Sequence, residues 1–159
     1  MRETSTFNQR SLVVALPLAL LIWTAVIYAQ ASASNAERTL WQAVNRERRL
    51  AGLNALRWDD SLASAARQHA ELMADQQTVA HTLPGEASLP GRATRAGAHF
   101  SWLSENIVQA ADVSTAHAQF MHSPTHRANV LDSDMDTVGI GIAEHGGQLF
   151  VVEDFEKGK

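Results

Sequence analysis

The chain has no cysteine. That excludes disulfides, thiolate metal sites, a cysteine nucleophile and lipidation at a lipobox cysteine, so the core has to come from packing alone. There is no G-x-S-x-G elbow, no H-E-x-x-H pair and no glycine-rich phosphate loop, which removes the familiar signatures of hydrolases and nucleotide-binding enzymes. Internal repeats and low-complexity linkers are missing too. Nor is there an excess of positive charge: 13 Lys and Arg stand against 17 Asp and Glu, for a net charge of −4. That balance argues against nucleic acid, or an anionic membrane surface, as the main partner.

The first feature present is a long apolar run. Residues 1–10 are polar, with Arg2 and Arg10, and Ser11 to Ala29 is almost wholly apolar. Ala29-Gln30-Ala31 then offers small residues at the spacing that a signal peptidase reads. The run is long for a signal peptide and short for a spanning helix. Residues 1–31 are therefore expected to be either a signal peptide cleaved after Ala31 or an uncleaved membrane anchor, with 12–28 as a lone apolar helix. Either fate places the rest of the chain outside the cytoplasm, secreted or periplasmic. The remainder, 35–156, is read as one domain, large enough for a core of its own.

Helical periodicity comes first in that domain. Ser34 or Asn35 can cap a helix in which Leu40, Trp41, Val44 and Leu50 repeat near helical spacing before Gly52 stops it. A second helix starts after Trp58, capped by Asp59 or Asp60, and runs to about Gln77. Its stripe of Leu62, Ala65, Ala66, His69, Leu72 and Met73 marks an inward face, on which His69 reads as a core histidine satisfied by a hydrogen bond. Thr78 to Pro90 is loop, and a short helix follows across Gly91 to Ala98. Glu105-Asn106-Ile107-Val108 reads as extended, and Ser114 or Thr115 caps a helix reaching about His122. The end is a hairpin: Val138 to Ile142, Gly146-Gly147 in a primed turn, then Leu149 to Val152. In that register Gly141 faces Val152 and Ala143 faces Phe150, which leaves a small-residue face for a closely packed helix.

The run Ser123-Pro124-Thr125-His126-Arg127-Ala128-Asn129-Val130-Leu131 carries the most information. Proline suits the first turn of a helix, and the preceding serine suits its N-cap. His126 then falls near the third helical position, where the helix dipole and Arg127 favour the neutral imidazole. Such a ring can bind a metal or accept a proton. Asn106 and Asn129 are short amides suited to satisfying loop backbone. His99, His117 and His145 read as solvated.

Taken in order, these signals resemble the CAP superfamily (cysteine-rich secretory proteins, antigen 5 and pathogenesis-related 1), in a bacterial, cysteine-free branch. The likeness rests on Asn45-Arg46-Glu47-Arg48, Leu56-Arg57-Trp58-Asp59, His69, Met73, His81, Arg92, Gly97, Glu105-Asn106-Ile107, the 123–131 run, Val138-Gly139-Ile140-Gly141 and Phe155. It implies an α+β fold, a three-layer α-β-α sandwich around a small antiparallel sheet. It also implies a cleft in which His81, Glu105 and His126 converge as candidate metal ligands or catalytic groups. The second acid of fuller members has no counterpart here, since the stretch before the last histidine reads Ala118-Gln119-Phe120-Met121-His122. His122 is the one local substitute as a fourth ligand.

Two imidazoles and one carboxylate can hold zinc with an open position for water; without a metal they can serve as general acid and base. Equally, Glu105 can tie a loop in place with the histidines bridging it. With a single carboxylate and a helix N-terminus nearby, any divalent metal such as zinc is expected to bind weakly, and the domain to fold without it. The reading that results is a noncatalytic exported binding module for a small apolar ligand, an envelope component or a protein. The alternatives are a metal-assisted hydrolase of peptide or envelope polymer, and a structural envelope component. A membrane enters only through an uncleaved N-terminal segment.

Overall fold

The computed structural model describes residues 33–158, so the expected apolar helix within 1–31 lies outside the described residues. Helix α1 (Asn35–Leu50) begins with a capping box: Ser34 accepts from the Glu37 amide, and the Glu37 side chain returns to the Ser34 amide. Two satisfied orphan donors fix where the helix starts. Leu40 and Val44 on its inner stripe are fully buried. So is Arg48, whose guanidinium donates to the carbonyls of Asn54, Val130, Asp132 and Met135 at 2.8–3.1 Å. One arginine thereby answers four carbonyls and ties α1 to the turn that follows the 124–130 helix.

Strand β1 (Arg57–Trp58) is only two residues long and pairs parallel with the later strand at Thr137 and Val138. The sheet is therefore mixed, with its other pairings antiparallel. Two residues are too few to leave a periodic signal; their placement depends on Asn45, whose side chain exchanges two hydrogen bonds with the backbone of Leu56. Helix α2 (Asp60–Gln76) is capped by Asp59, which accepts from the Leu62 amide at 2.6 Å, and it ends at Gln77 with φ +49°. Helix α3 (Leu89–Ala96) carries Pro90 in its first turn and ends at Gly97, where φ is +92°.

Strand β2 (Phe100–Ala110) leads to α4 (Val113–His122), and Ser123 joins α4 to α5 (Pro124–Val130). The cap of α4 is Asp112 rather than Ser114 or Thr115, because its carboxylate reaches the Thr115 amide at 2.7 Å. The chain closes with β3 (Thr137–His145) and β4 (Gln148–Gly158). Gly146 and Gly147 form the turn at φ +60° and +74°, and Gly141 faces Val152 while Ala143 faces Phe150. That is the register read from the sequence.

The sheet order is β1-β3-β4-β2, with β2 on an edge. Helix α2 lies on one face, and α1, α4 and α5 cover the other. A Cβ on Gly141 would sit 2.2 Å from the backbone of Ala66 and Arg67, and one on Gly139 equally close to Ala63. Glycine in β3 thus lets α2 rest on the sheet at backbone contact. The two apolar cores, with Phe120, Ile140, Val151 and Phe155 on one face and Met73, Ile107, Phe150 and Val152 on the other, hold this α-β-α sandwich together. His117 is buried against α1, with its Nε2 3.7 Å from Glu47, so the expectation of a solvated ring fails there. Burial lowers its pKa, against the pull of Glu47. His99 and His145 are exposed as expected.

Candidate functional site

Glu105 is the centre of the site. It stands midway along β2 and points to the α2 face, with its side chain 3% exposed. A carboxylate so buried needs partners, and it has them. Oε1 meets His81 Nδ1 at 2.7 Å, and Oε2 accepts a short charge-assisted bond from Arg92 of α3. The same guanidinium donates to the backbone carbonyls of His81 at 3.1 Å and Ala87 at 3.2 Å. Arg92 therefore sets both the carboxylate and the loop that carries His81.

His81 itself is largely open, with 62% of its side chain exposed. Its Nδ1–H donates inward to Glu105, so the neutral ring keeps its lone pair on Nε2. His126 comes from the other side, at the third position of α5, where Ser123 caps the helix through the His126 amide. Its ring packs edge-on against Phe120, with centroids 5.4 Å apart. Burial, and then the neighbouring His81, lower the His126 pKa. Burial and a second imidazole thus favour the neutral ring expected there. His122 is exposed, and its Nδ1 bonds the Ala118 carbonyl one turn back on α4 at 2.6 Å.

Two amides hold α5 to the sheet. Asn106 Nδ2 donates to the His126 carbonyl and to Glu153, each at 3.0 Å, while its Oδ1 accepts from Asn129 at 2.8 Å. Asn129 also reaches the Glu105 carbonyl at 3.3 Å. These bonds place His126 relative to Glu105, in keeping with the structural role read for the two amides.

Behind the cleft lies a second layer of which the sequence reading had only His69, as a satisfied core histidine. His69, fully buried on α2, bonds Glu86 through Nδ1 at 2.7 Å, and its Nε2 stops 3.8 Å from Glu105. Glu86 also accepts from the Leu83 amide and pairs with Arg92 at 3.5 Å. Asp154 of β4 lies directly across from Glu105. Burial, and then the Glu105 charge, raise its pKa well above the ordinary carboxylate range, against Arg92. Glu153 beside it points to the opposite face and is pushed up to about 8 by burial, only partly offset by Asn106. The available signal was the run Glu153-Asp154-Phe155-Glu156, whose consecutive acids break the apolar alternation of a covered strand.

Chemically, the cleft presents the His81 ring backed by one engaged carboxylate, with the His126 ring as its electrostatic neighbour. As three direct metal ligands the set does not fit, because both Glu105 oxygens already serve His81 and Arg92. Among the described residues no group of three His, Asp or Glu side chains is arranged to hold a metal ion. The arrangement suits Glu105 to orienting His81, as outer-shell carboxylates orient metal-binding histidines elsewhere.

Known proteins resemble this chain in sequence and fold. The chain is 28% identical over 119 residues to the uncharacterized protein YkwD of Bacillus subtilis, a match that covers 74% of this chain and 46% of that protein. A protein of Borreliella burgdorferi is 24% identical over 102 residues, covering 64% of this chain and 65% of that protein. The match therefore spans about half to two thirds of these relatives. Among solved structures, an extracellular SCP-domain protein of Bacillus anthracis superposes with a TM-score of 0.71 at 26% identity, covering 76% of this chain and 39% of the other. An outer surface protein of Borrelia burgdorferi shares the fold, with a TM-score of 0.71 at 22% identity and coverages of 77% and 92%. The sequence profile of the cysteine-rich secretory protein (CAP) family matches residues 41–155, and the chain belongs to that family.

Proposed function

We propose that this chain is an exported, noncatalytic binding module whose cleft around His81 and His126 contacts an envelope component or a protein partner. The observation that carries the reading is the state of Glu105: buried, paired with Arg92 and spent on orienting His81, it is not free to activate water. Ser123, three residues before His126, is engaged as a helix cap, and its hydroxyl also bonds that of Thr125. A small apolar ligand suits the cleft less well, because the concavity behind it is lined by Gln68, Glu86, Arg92 and Arg95 beside Leu72. Export is supported by the apolar segment ahead of the domain and by the extracellular Bacillus anthracis protein that shares the fold.

A second reading, the metal-assisted hydrolase, draws on the carboxylate-backed His81 ring and the neutral His126. Those two imidazoles would hold a zinc ion, which would supply a polarised water when bound; with Glu105 engaged, such an ion would be weakly held and exchangeable. One experiment separates the readings. The purified chain is titrated with zinc while the ring signals of His81 and His126 are followed by NMR, and the same sample is assayed against peptides and cell-wall fragments. Weak, fast-exchanging zinc and no turnover are expected. Turnover that His126→Ala abolishes would replace the binding module with the hydrolase.

A further inference from the structure

Trp102 has no place in the site above, yet it is 63% exposed at the start of an edge strand. An exposed indole offers a large flat apolar face with an N–H at its edge, which a ligand can cover favourably. The pairing of β2 with β4 slips between Phe100 and Trp102, and such bulges re-aim a side chain. Trp102 then stands opposite Lys157, over a groove of about 440 Å³ that Ser101, Asp132 and Asp134 complete. That volume is within the range of about 300–1,000 Å³ common for small-ligand sites.

The polar groups in the groove form a mixed ring. Asp134 Oδ2 accepts from Lys157 at 3.2 Å, and Asp132 Oδ1 accepts from the Asp134 amide at 2.9 Å. Each carboxylate keeps an oxygen over, and the ammonium keeps two donors. A flat indole beside acceptors and donors of both kinds complements a pyranose ring, whose C–H face is apolar and whose rim carries vicinal hydroxyls. Two carboxylates against one ammonium repel an anionic or sulfated chain. A cationic peptide, in turn, would have to compete with Lys157, which already occupies the anionic position. Trp102 is three residues from Glu105 along β2, so the two side chains point to opposite faces of the sheet and the groove is separate from the Glu105 cluster.

We infer that the Trp102 groove is a binding subsite for an uncharged saccharide chain, with the indole as stacking platform and Asp132, Asp134 and Lys157 as hydroxyl partners. This narrows the binding module proposed above to a glycan partner and rests on that reading for its exported setting, but it uses a separate set of side chains. The test uses the full-length chain in a detergent that carries no sugar. Chitotetraose and cellotetraose are titrated while the Trp102 indole signal is followed, with sulfated heparin fragments and tetralysine as comparisons. One of the two uncharged tetrasaccharides should bind and shift that signal. Trp102→Ala should weaken it about tenfold or more, Trp102→Phe should retain part of the affinity, and Asp134→Asn should give an intermediate loss. Zinc binding at the cleft is read on the same parent sample through the His81 and His126 ring signals, so failure of one idea is distinguishable from failure of the other. Trp102 is exposed, so thermal unfolding of its variants should match the parent. Absence of saccharide binding up to about 10 mM, affinity unchanged in Trp102→Ala, or tetralysine binding through Trp102 instead would each overturn the inference.

Discussion

Two histidine–carboxylate pairs share one geometry and differ in almost everything else. His69–Glu86 and His81–Glu105 both meet through Nδ1 at 2.7 Å. The His69 side chain is fully buried, with Nε2 sealed beside Glu105 and without a hydrogen-bond partner. The His81 side chain is 62% exposed, its remaining nitrogen free for a ligand. The same bond therefore does structural work in one pair and positions a binding group in the other. Access to the second ring nitrogen makes the difference, and the path of the backbone decides that access. Arg92 links the pairs, because it contacts both carboxylates.

Removing Arg92 is the strongest way to break this comparison. Arg92→Met leaves Glu86 and Glu105 buried without their common cation, at an expected cost of about 3–5 kcal/mol. Urea denaturation of the variant measures that loss directly, and a cost below about 1 kcal/mol would mean that the cluster is not electrostatically closed. His69→Ala should come next, at about 2–4 kcal/mol, from a lost buried ring and a weakened Glu86.

The third test concerns the acids of β4. Glu153 keeps its proton in the folded state up to about pH 8, whereas the unfolded chain releases it near 4.5. The folded state thus binds more protons between those values, and stability falls as pH rises from 4.5 towards 8. Glu153→Gln keeps the shape and the acceptor for Asn106 but cannot ionise. It should be near neutral at about pH 4 and stabilising by on the order of 1–3 kcal/mol at about pH 8, read from melting curves across that range. Parallel curves for parent and variant would show that Glu153 is not the titrating group.

The smallest effect sharpens the comparison from its exposed side. His81→Ala should change stability by less than about 0.5 kcal/mol, because little is buried with the ring. Its effect should appear instead in zinc or partner binding at the cleft, seen as loss of the His126 ring shifts. A large stability loss would make His81 as structural as His69.

Much of this was legible in the chain. The α1 and α2 stripes, the Ser123-Pro124 restart and the Gly146-Gly147 turn are local chemistry: a cap, a missing amide hydrogen, a positive φ. Even the hairpin register follows, because a two-residue turn dictates which residues face each other. His69 was readable as a satisfied core histidine from its place on the α2 stripe, though its partner Glu86 lies in a loop with no periodicity to betray it. β1 was too short to announce itself, and the buried His117 sat at what read as a polar helix position.

Tertiary structure alone decided how the site works. The sequence determined which groups could meet, and the resemblance carried by its motifs named His81, Glu105 and His126. It did not determine that Arg92 would take one side of the Glu105 carboxylate, or that Asp154 would stand across from it on β4. Those contacts join loop, helix and two strands across long separations, and burial then sets the proton affinities that govern them. Local propensities act within a few residues and can be read along the chain. Charge pairing and desolvation depend on which distant segments exclude water together, and that is fixed only when the sheet and its two helical layers close.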